Sequence, residues 1–291
     1  MAFIAVIAAL GACAAEIATP PDLDALLVDE AVAGAARWVE PLTVPPPRIT
    51  TEDLVANGQH WRLVTPRGPV HVWIPQGYKR KRAETIIYVH GYYTNVDTAW
   101  RDHFLAQQFA NAGINAVFIA CEAPAGGTEA VKWPQLVPLL DAVEKGIAKR
   151  LPRRRIVALG HSGAYRTLKP WLAEPLLDTV VLLDAAYGEL ESYRDWVLGG
   201  KKRRLINVGD GTKANTDRLH ATLPSFVLDG FPSIEHELPG EARRAKVVYI
   251  RSCMGHFPLV TGGEAIPMIL RTLRAKKLLD VPLADLLASD E

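Results

Sequence analysis

The sequence predicts one α/β domain, a mostly parallel sheet covered by helices on both faces. Three observations predict it. Apolar runs of strand length alternate with stretches of helical spacing, a short hairpin precedes them, and a glycine-rich turn joins one strand directly to a helix. Strands apolar throughout are buried on both faces, and parallel neighbours need the crossovers that helices supply.

The apolar run over residues 1–10 is too short to span a bilayer. It leads into Leu10-Gly11-Ala12-Cys13, which resembles the lipobox of bacterial lipoproteins. That resemblance implies a signal segment over 1–13, export, and membrane anchoring through a lipidated Cys13. No Lys or Arg precedes the run, a departure from the signal pattern. The alternative is a cytoplasmic protein with an N-terminal helix. Residues 14–58, broken by Pro45-Pro46-Pro47, read as a linker or an arm, and the α/β domain extends over 59–291.

Residues 61–65 and 70–74 are short β-type runs around Pro66-Arg67-Gly68, a hairpin signal. Strands follow at 85–89, 115–120, 156–159, 179–183, 205–208 and 246–250. Between and after them, helical spacing covers 98–112, 135–150, 165–172, 193–198 and 266–278. Basic clusters at 79–82, 153–155 and 201–204 each precede a strand. They fall along the edge opposite the end where such sheets bind ligands, and read as a solvated rim. If Cys13 is lipidated, that rim also suits anionic headgroups.

Composition excludes several classes. Thirty-three Lys and Arg against 32 Asp and Glu give a net charge of +1, which argues against nucleic-acid binding. Three cysteines cannot frame a disulfide scaffold, and no ligand cluster suggests a metal. A hydrophobic fraction of 49% excludes intrinsic disorder. The glycine-rich stretch 124–128 lacks the Gly-Lys-Ser/Thr of a phosphate cradle, so no nucleotide or other cofactor is expected. That stretch follows a strand and reads as an edge of the ligand-binding mouth. Cys121 and Cys253 follow strands and read as packed thiols, with a disulfide between them left open. Trp133, Trp171 and Trp196 read as packing residues, any one of which could line a pocket.

The chemistry-bearing motif is Gly160-His161-Ser162-Gly163-Ala164, between the strand at 156–159 and the helix at 165–172. A serine on so sharp a turn needs small neighbours, and the helix N-terminus beneath it favours developing negative charge. The bland alternative is Ser162 as a helix cap. Among the eight histidines, His256 follows the last strand. His236 reads as an exposed loop residue, and His220 as a helix-end partner. Asp184 and Asp210 each follow a strand between Ser162 and His256 in the chain.

With these motifs, residues 59–278 resemble the α/β-hydrolase superfamily, in a poorly characterised bacterial branch of serine hydrolases. The resemblance implies an eight-stranded, mostly parallel sheet whose second strand is antiparallel. It implies Ser162 as nucleophile, His256 as general base, and the backbone N–H groups of Tyr92 and Gly163 as the oxyanion hole. Tyr92 enters through His90-Gly91, which follows the strand at 85–89; His90 braces that loop. The superfamily more often takes its acid after the later strand, which points to Asp210. Asp184 heads Asp184-Ala-Ala-Tyr187-Gly188, which is similar to runs paired with Gly-His-Ser-Gly-x-Tyr-Arg in that branch, and it is the preferred acid. The implied activity is ester hydrolysis of the carboxylesterase type through an acyl-enzyme, on a small-molecule or acyl substrate. Alternatives are a peptidase or amidase with the same triad, and a non-catalytic binding protein. The connection 185–204 is too short for a large lid domain.

Overall fold

A computed structural model describes residues 45–233 and 237–278. The candidate signal segment with Cys13, the arm before residue 45, His236 and the tail past 278 lie outside the described residues.

The strands are β1 (Arg48–Val55), β2 (Gly58–Thr65), β3 (Gly68–Pro75), β4 (Glu84–Val89), β5 (Ala116–Cys121), β6 (Ile156–His161), β7 (Leu177–Leu183), β8 (Arg204–Gly209), β9 (Phe226–Leu228) and β10 (Val247–Arg251). The helices are α1 (Val96–Asp102), α2 (Leu105–Ala112), α3 (Leu136–Ile147), α4 (Tyr165–Trp171), α5 (Leu190–Leu198), α6 (Lys213–His220), α7 (Gly240–Arg244), α8 (Pro258–Thr261) and α9 (Ala265–Arg271).

One sheet orders the strands β1-β2-β3-β5-β4-β6-β7-β8-β10-β9. β3 runs antiparallel to both β2 and β5, while every pair from β5 to β9 is parallel. The chain has the α/β-hydrolase fold, with ten strands where eight are expected from sequence. The two additions are β1 and β9, one at each edge. β1 is exposed at most of its positions and lies inside the stretch read as linker or arm. It pairs antiparallel along β2, with an irregularity between Ile49 and Thr51. β9 is only three residues long.

The parallel strands are buried throughout, so successive residues feed two cores. Ile87, Val89, Ala158 and Val180 pack with Leu140 of α3, Trp171 of α4 and Tyr193 of α5. Ile86, Tyr88, Leu159 and Val181 pack on the opposite face with Phe109 of α2 and Ile269 of α9. The single helix expected over 98–112 is two helices, because Phe104 takes φ 49° between them. That break lets His103 turn inward, where its Nδ1 meets the Tyr88 hydroxyl at 2.8 Å. The sheet thus brings the carboxyl ends of β4, β6, β7, β8 and β10 to one end, where ligands bind in such folds.

Candidate active site

β6 ends at His161, and Ser162–Ala164 form a turn of 3-10 helix that opens α4. Ser162 sits in the left-handed region at φ 54°, a conformation that costs a non-glycine residue on the order of 1–3 kcal/mol. The turn survives because its neighbours are small. A Cβ on Gly160 would lie 2.6 Å from Leu168, and one on Gly163 would lie 2.5 Å from the Tyr92 ring.

Asp184 closes β7, buried and itself at φ 47°. Its Oδ2 accepts from His256 Nδ1 at 2.6 Å. The same carboxylate accepts from the amides of Asp210 at 3.0 Å, Gly211 at 3.0 Å and Thr212 at 2.8 Å, and from the Thr212 hydroxyl at 2.6 Å. Burial is the largest influence and disfavours the charge. The His256 and Thr212 hydrogen bonds and the backbone amides together outweigh it, so the carboxyl stays well below the usual carboxylate range. An ionised acceptor fixes the proton on His256 Nδ1 and leaves Nε2 as the basic nitrogen.

Asp210 is brought to the same cluster but not to the imidazole. Its Oδ2 accepts from the Gly255 amide at 2.8 Å, which holds the turn that presents His256. Of the two aspartates left open by sequence, Asp184 is the one in contact with the His256 imidazole.

The loop after β4 packs against the serine turn. A Cβ on Gly91 would fall 2.7 Å from Ser162 Cβ, so glycine is what permits this approach. His90 lies beneath the loop, with Nδ1 2.7 Å from the Gly91 carbonyl and Nε2 2.8 Å from Glu122. The Tyr93 amide donates to the Ala125 carbonyl at 2.8 Å. Arg166 of α4 donates to the Tyr92 hydroxyl at 3.3 Å and to the Gly126 carbonyl at 3.2 Å. The glycine-rich stretch 124–128 is thereby tied to the loop after β4 and to α4.

Among the described residues, no hydrogen bond directly joins Ser162 to His256. The Tyr187 ring meets the His256 ring edge-on at 6.2 Å between centroids, with its hydroxyl beside the Ser162 side chain. Tyr187 was legible as part of a motif, not as a contact of Ser162. His161 was missed altogether. Its ring lies 4.5 Å from that of His256, and its Nε2–H donates to the His256 carbonyl at 3.0 Å. Burial, together with the nearby His256, pushes the His161 pKa down to about 3, so it stays neutral.

The remaining candidates serve the scaffold. His220 is stacked on Tyr249 at 4.4 Å and is not near the site. Trp133, Trp171 and Trp196 are all buried in the core, with Trp171 donating to the Trp133 carbonyl at 2.7 Å. Cys121 is buried and Cys253 exposed, and no disulfide joins them. No group of His, Cys, Asp and Glu among the described residues is arranged to hold a metal.

No family model and no curated protein matches the sequence. Solved structures do. A feruloyl esterase module from Clostridium thermocellum shares 13% identity over 84% of this chain and 97% of its own, with a TM-score of 0.49. An S-formylglutathione hydrolase from Agrobacterium tumefaciens shares 10% over 79% of this chain and 99% of its own, with a TM-score of 0.49. An esterase from the bacterial hormone-sensitive lipase family shares 19% over 75% and 86%, with a TM-score of 0.43.

Proposed function

We propose that this chain is a cofactor-independent serine hydrolase that cleaves esters of the carboxylesterase type. Ser162 Oγ attacks the acyl carbon while His256 Nε2 takes its proton, and Asp184 stabilises the imidazolium and holds its tautomer. The amides of Tyr92 and Gly163 receive the oxyanion; two fixed dipoles do so without reorganising. Collapse of the tetrahedral species breaks the bond to the leaving oxygen, which departs with the proton from His256. Water then attacks the acyl-enzyme by the same route in reverse, releasing the acid and restoring Ser162.

The observation that carries this reading is the 2.6 Å contact between Asp184 and His256, on the same sheet end as a serine held at φ 54°. The connection from β7 to β8 contains only the short α5, which leaves the cleft open to small or extended acyl substrates.

A fluorophosphonate probe tests the reading. The wild-type protein labels covalently and Ser162→Ala does not; a wild type that fails to label overturns it. A panel of p-nitrophenyl esters of increasing chain length, run beside peptide amides, then defines the acyl class.

A further inference from the structure

Tyr187 follows the triad acid by three residues, on the segment between β7 and α5. It is 44% exposed, so part of the residue is open to solvent. Three contacts fix the rest. Its ring meets His256 edge-on at 6.2 Å, Tyr165 flanks it at 6.5 Å between ring centroids, and its hydroxyl lies beside the Ser162 side chain. Its carbonyl accepts from Asn215 Nδ2 at 3.4 Å, tying the segment to α6.

The chemistry of acyl transfer assigns sides to the nucleophile. The imidazole that removes the serine proton must return it to the departing oxygen, so that oxygen lies on the His256 side of Ser162. The oxyanion lies on the other side, toward the Tyr92 and Gly163 amides; Tyr92 already packs against Gly163 there, since a Cβ on Gly163 would meet its ring at 2.5 Å. A hydroxyl beside Ser162, on a ring packed edge-on against His256, occupies the leaving-group side. Burial, with the Asp184 charge adding to it, pushes the Tyr187 phenol up to about 12, so its proton is present throughout the neutral range.

We propose that Tyr187 is a catalytic hydrogen-bond donor to the leaving oxygen, an inference that rests on Ser162 being the nucleophile. As the bond from acyl carbon to leaving oxygen breaks, negative charge builds on that oxygen. His256 Nε2–H transfers its proton there, giving the free alcohol. Tyr187 donates a hydrogen bond to the same oxygen and keeps its own proton throughout. Ser162 retains the acyl group until water enters. A hydrogen bond to a charged oxygen is about twice as strong as a neutral one, so the contribution grows with the basicity of the leaving group.

The test pairs wild type with Tyr187→Phe on two esters of one acyl group, p-nitrophenyl and ethyl, reading kcat/KM, which covers the steps up to alcohol release. The variant should lose less than about threefold on the p-nitrophenyl ester and about tenfold or more on the ethyl ester. A series of substituted phenyl esters should show a steeper dependence on leaving-group pKa in the variant. Fluorophosphonate labelling at Ser162 should keep its rate within about threefold, because fluoride leaves without a proton. Equal losses on both esters would place the hydroxyl in oxyanion stabilisation or in the scaffold and overturn the proposal, as would no loss on either. If wild-type Ser162 does not label at all, the hydrolase reading itself fails, which the ester ratio alone would not reveal.

Discussion

Asp184 Oδ2 accepts a hydrogen bond from His256 Nδ1 at 2.6 Å, across 72 positions of chain. The carboxylate is buried, whereas the imidazole keeps 26% side-chain exposure. One partner is locked in the sheet end and the other is open to solvent. Asp184→Asn should therefore lower kcat by about 10³–10⁴, because the amide no longer enforces the tautomer. Circular dichroism should report an intact fold. Asp210→Ala removes only the acceptor for the Gly255 amide and should cost about tenfold. Reversal of that order, measured on one p-nitrophenyl ester, would transfer the role of acid to Asp210.

Gly163→Ala and Gly91→Ala should each reduce kcat by about 10² or more, beyond the loss of about 1–3 kcal/mol in stability that overpacking brings. The new methyl on residue 163 meets the Tyr92 ring at 2.5 Å, and that on residue 91 meets Ser162 Cβ at 2.7 Å. Either way the two amides proposed to hold the oxyanion separate. Retained activity in both variants would mean that the oxyanion is bound elsewhere.

Much of this arrangement was legible in the sequence, for local reasons. The serine turn announces itself because small residues at 160, 163 and 164 fit around a left-handed Ser162, and β4 to β8 announce themselves by largely apolar runs. β1 was not legible because its Arg-Ile-Thr-Thr-Glu-Asp-Leu-Val surface is mostly exposed and its pairing depends on β2. The break between α1 and α2 carries no Gly or Pro; it rests on Phe104 and on the long-range bond from Tyr88 to His103. Asp184 and Asp210 read alike because both follow strands. Their difference arises from the turn at 210–212, which aims three amides at Asp184 and the Asp210 carboxylate at Gly255. His161 occupies the variable position of its motif, and its task depends on a loop 95 residues away.

Acid should destabilise the fold before the carboxylates titrate. Burial is the largest cause that lowers His103 and His220 to about 4 and His161 to about 3 from an ordinary 6.5. The folded state thus binds fewer protons than the unfolded chain between those values and 6.5. Stability is full above about 6.5 and declines as pH falls, by up to about 1.4 kcal/mol per unit for each group. Asp184 adds to the loss below the ordinary carboxylate range, since its folded value is depressed. Urea midpoints at pH 7.5, 6 and 5 should fall steadily; a flat profile over that window contradicts the neutral burial of these rings.

His161→Phe separates the two consequences of that residue. The phenyl ring fills nearly the same buried space but cannot donate to the His256 carbonyl, now held at 3.0 Å, and cannot take a proton. Loss of that brace should lower kcat about tenfold, since it leaves the loop carrying His256 tied to the β8 end by the Ser252 amide on the Gly209 carbonyl and the Gly255 amide on Asp210, neither of which holds His256 itself. The same change should flatten the acid decline in urea midpoint by about one proton, because one low-pKa histidine has been removed. Both effects are expected in a single protein, one in the kinetics and one in the pH slope. An unchanged kcat would show that His256 holds its place without His161, and an unchanged slope would show that the His161 ring is protonated in the folded state.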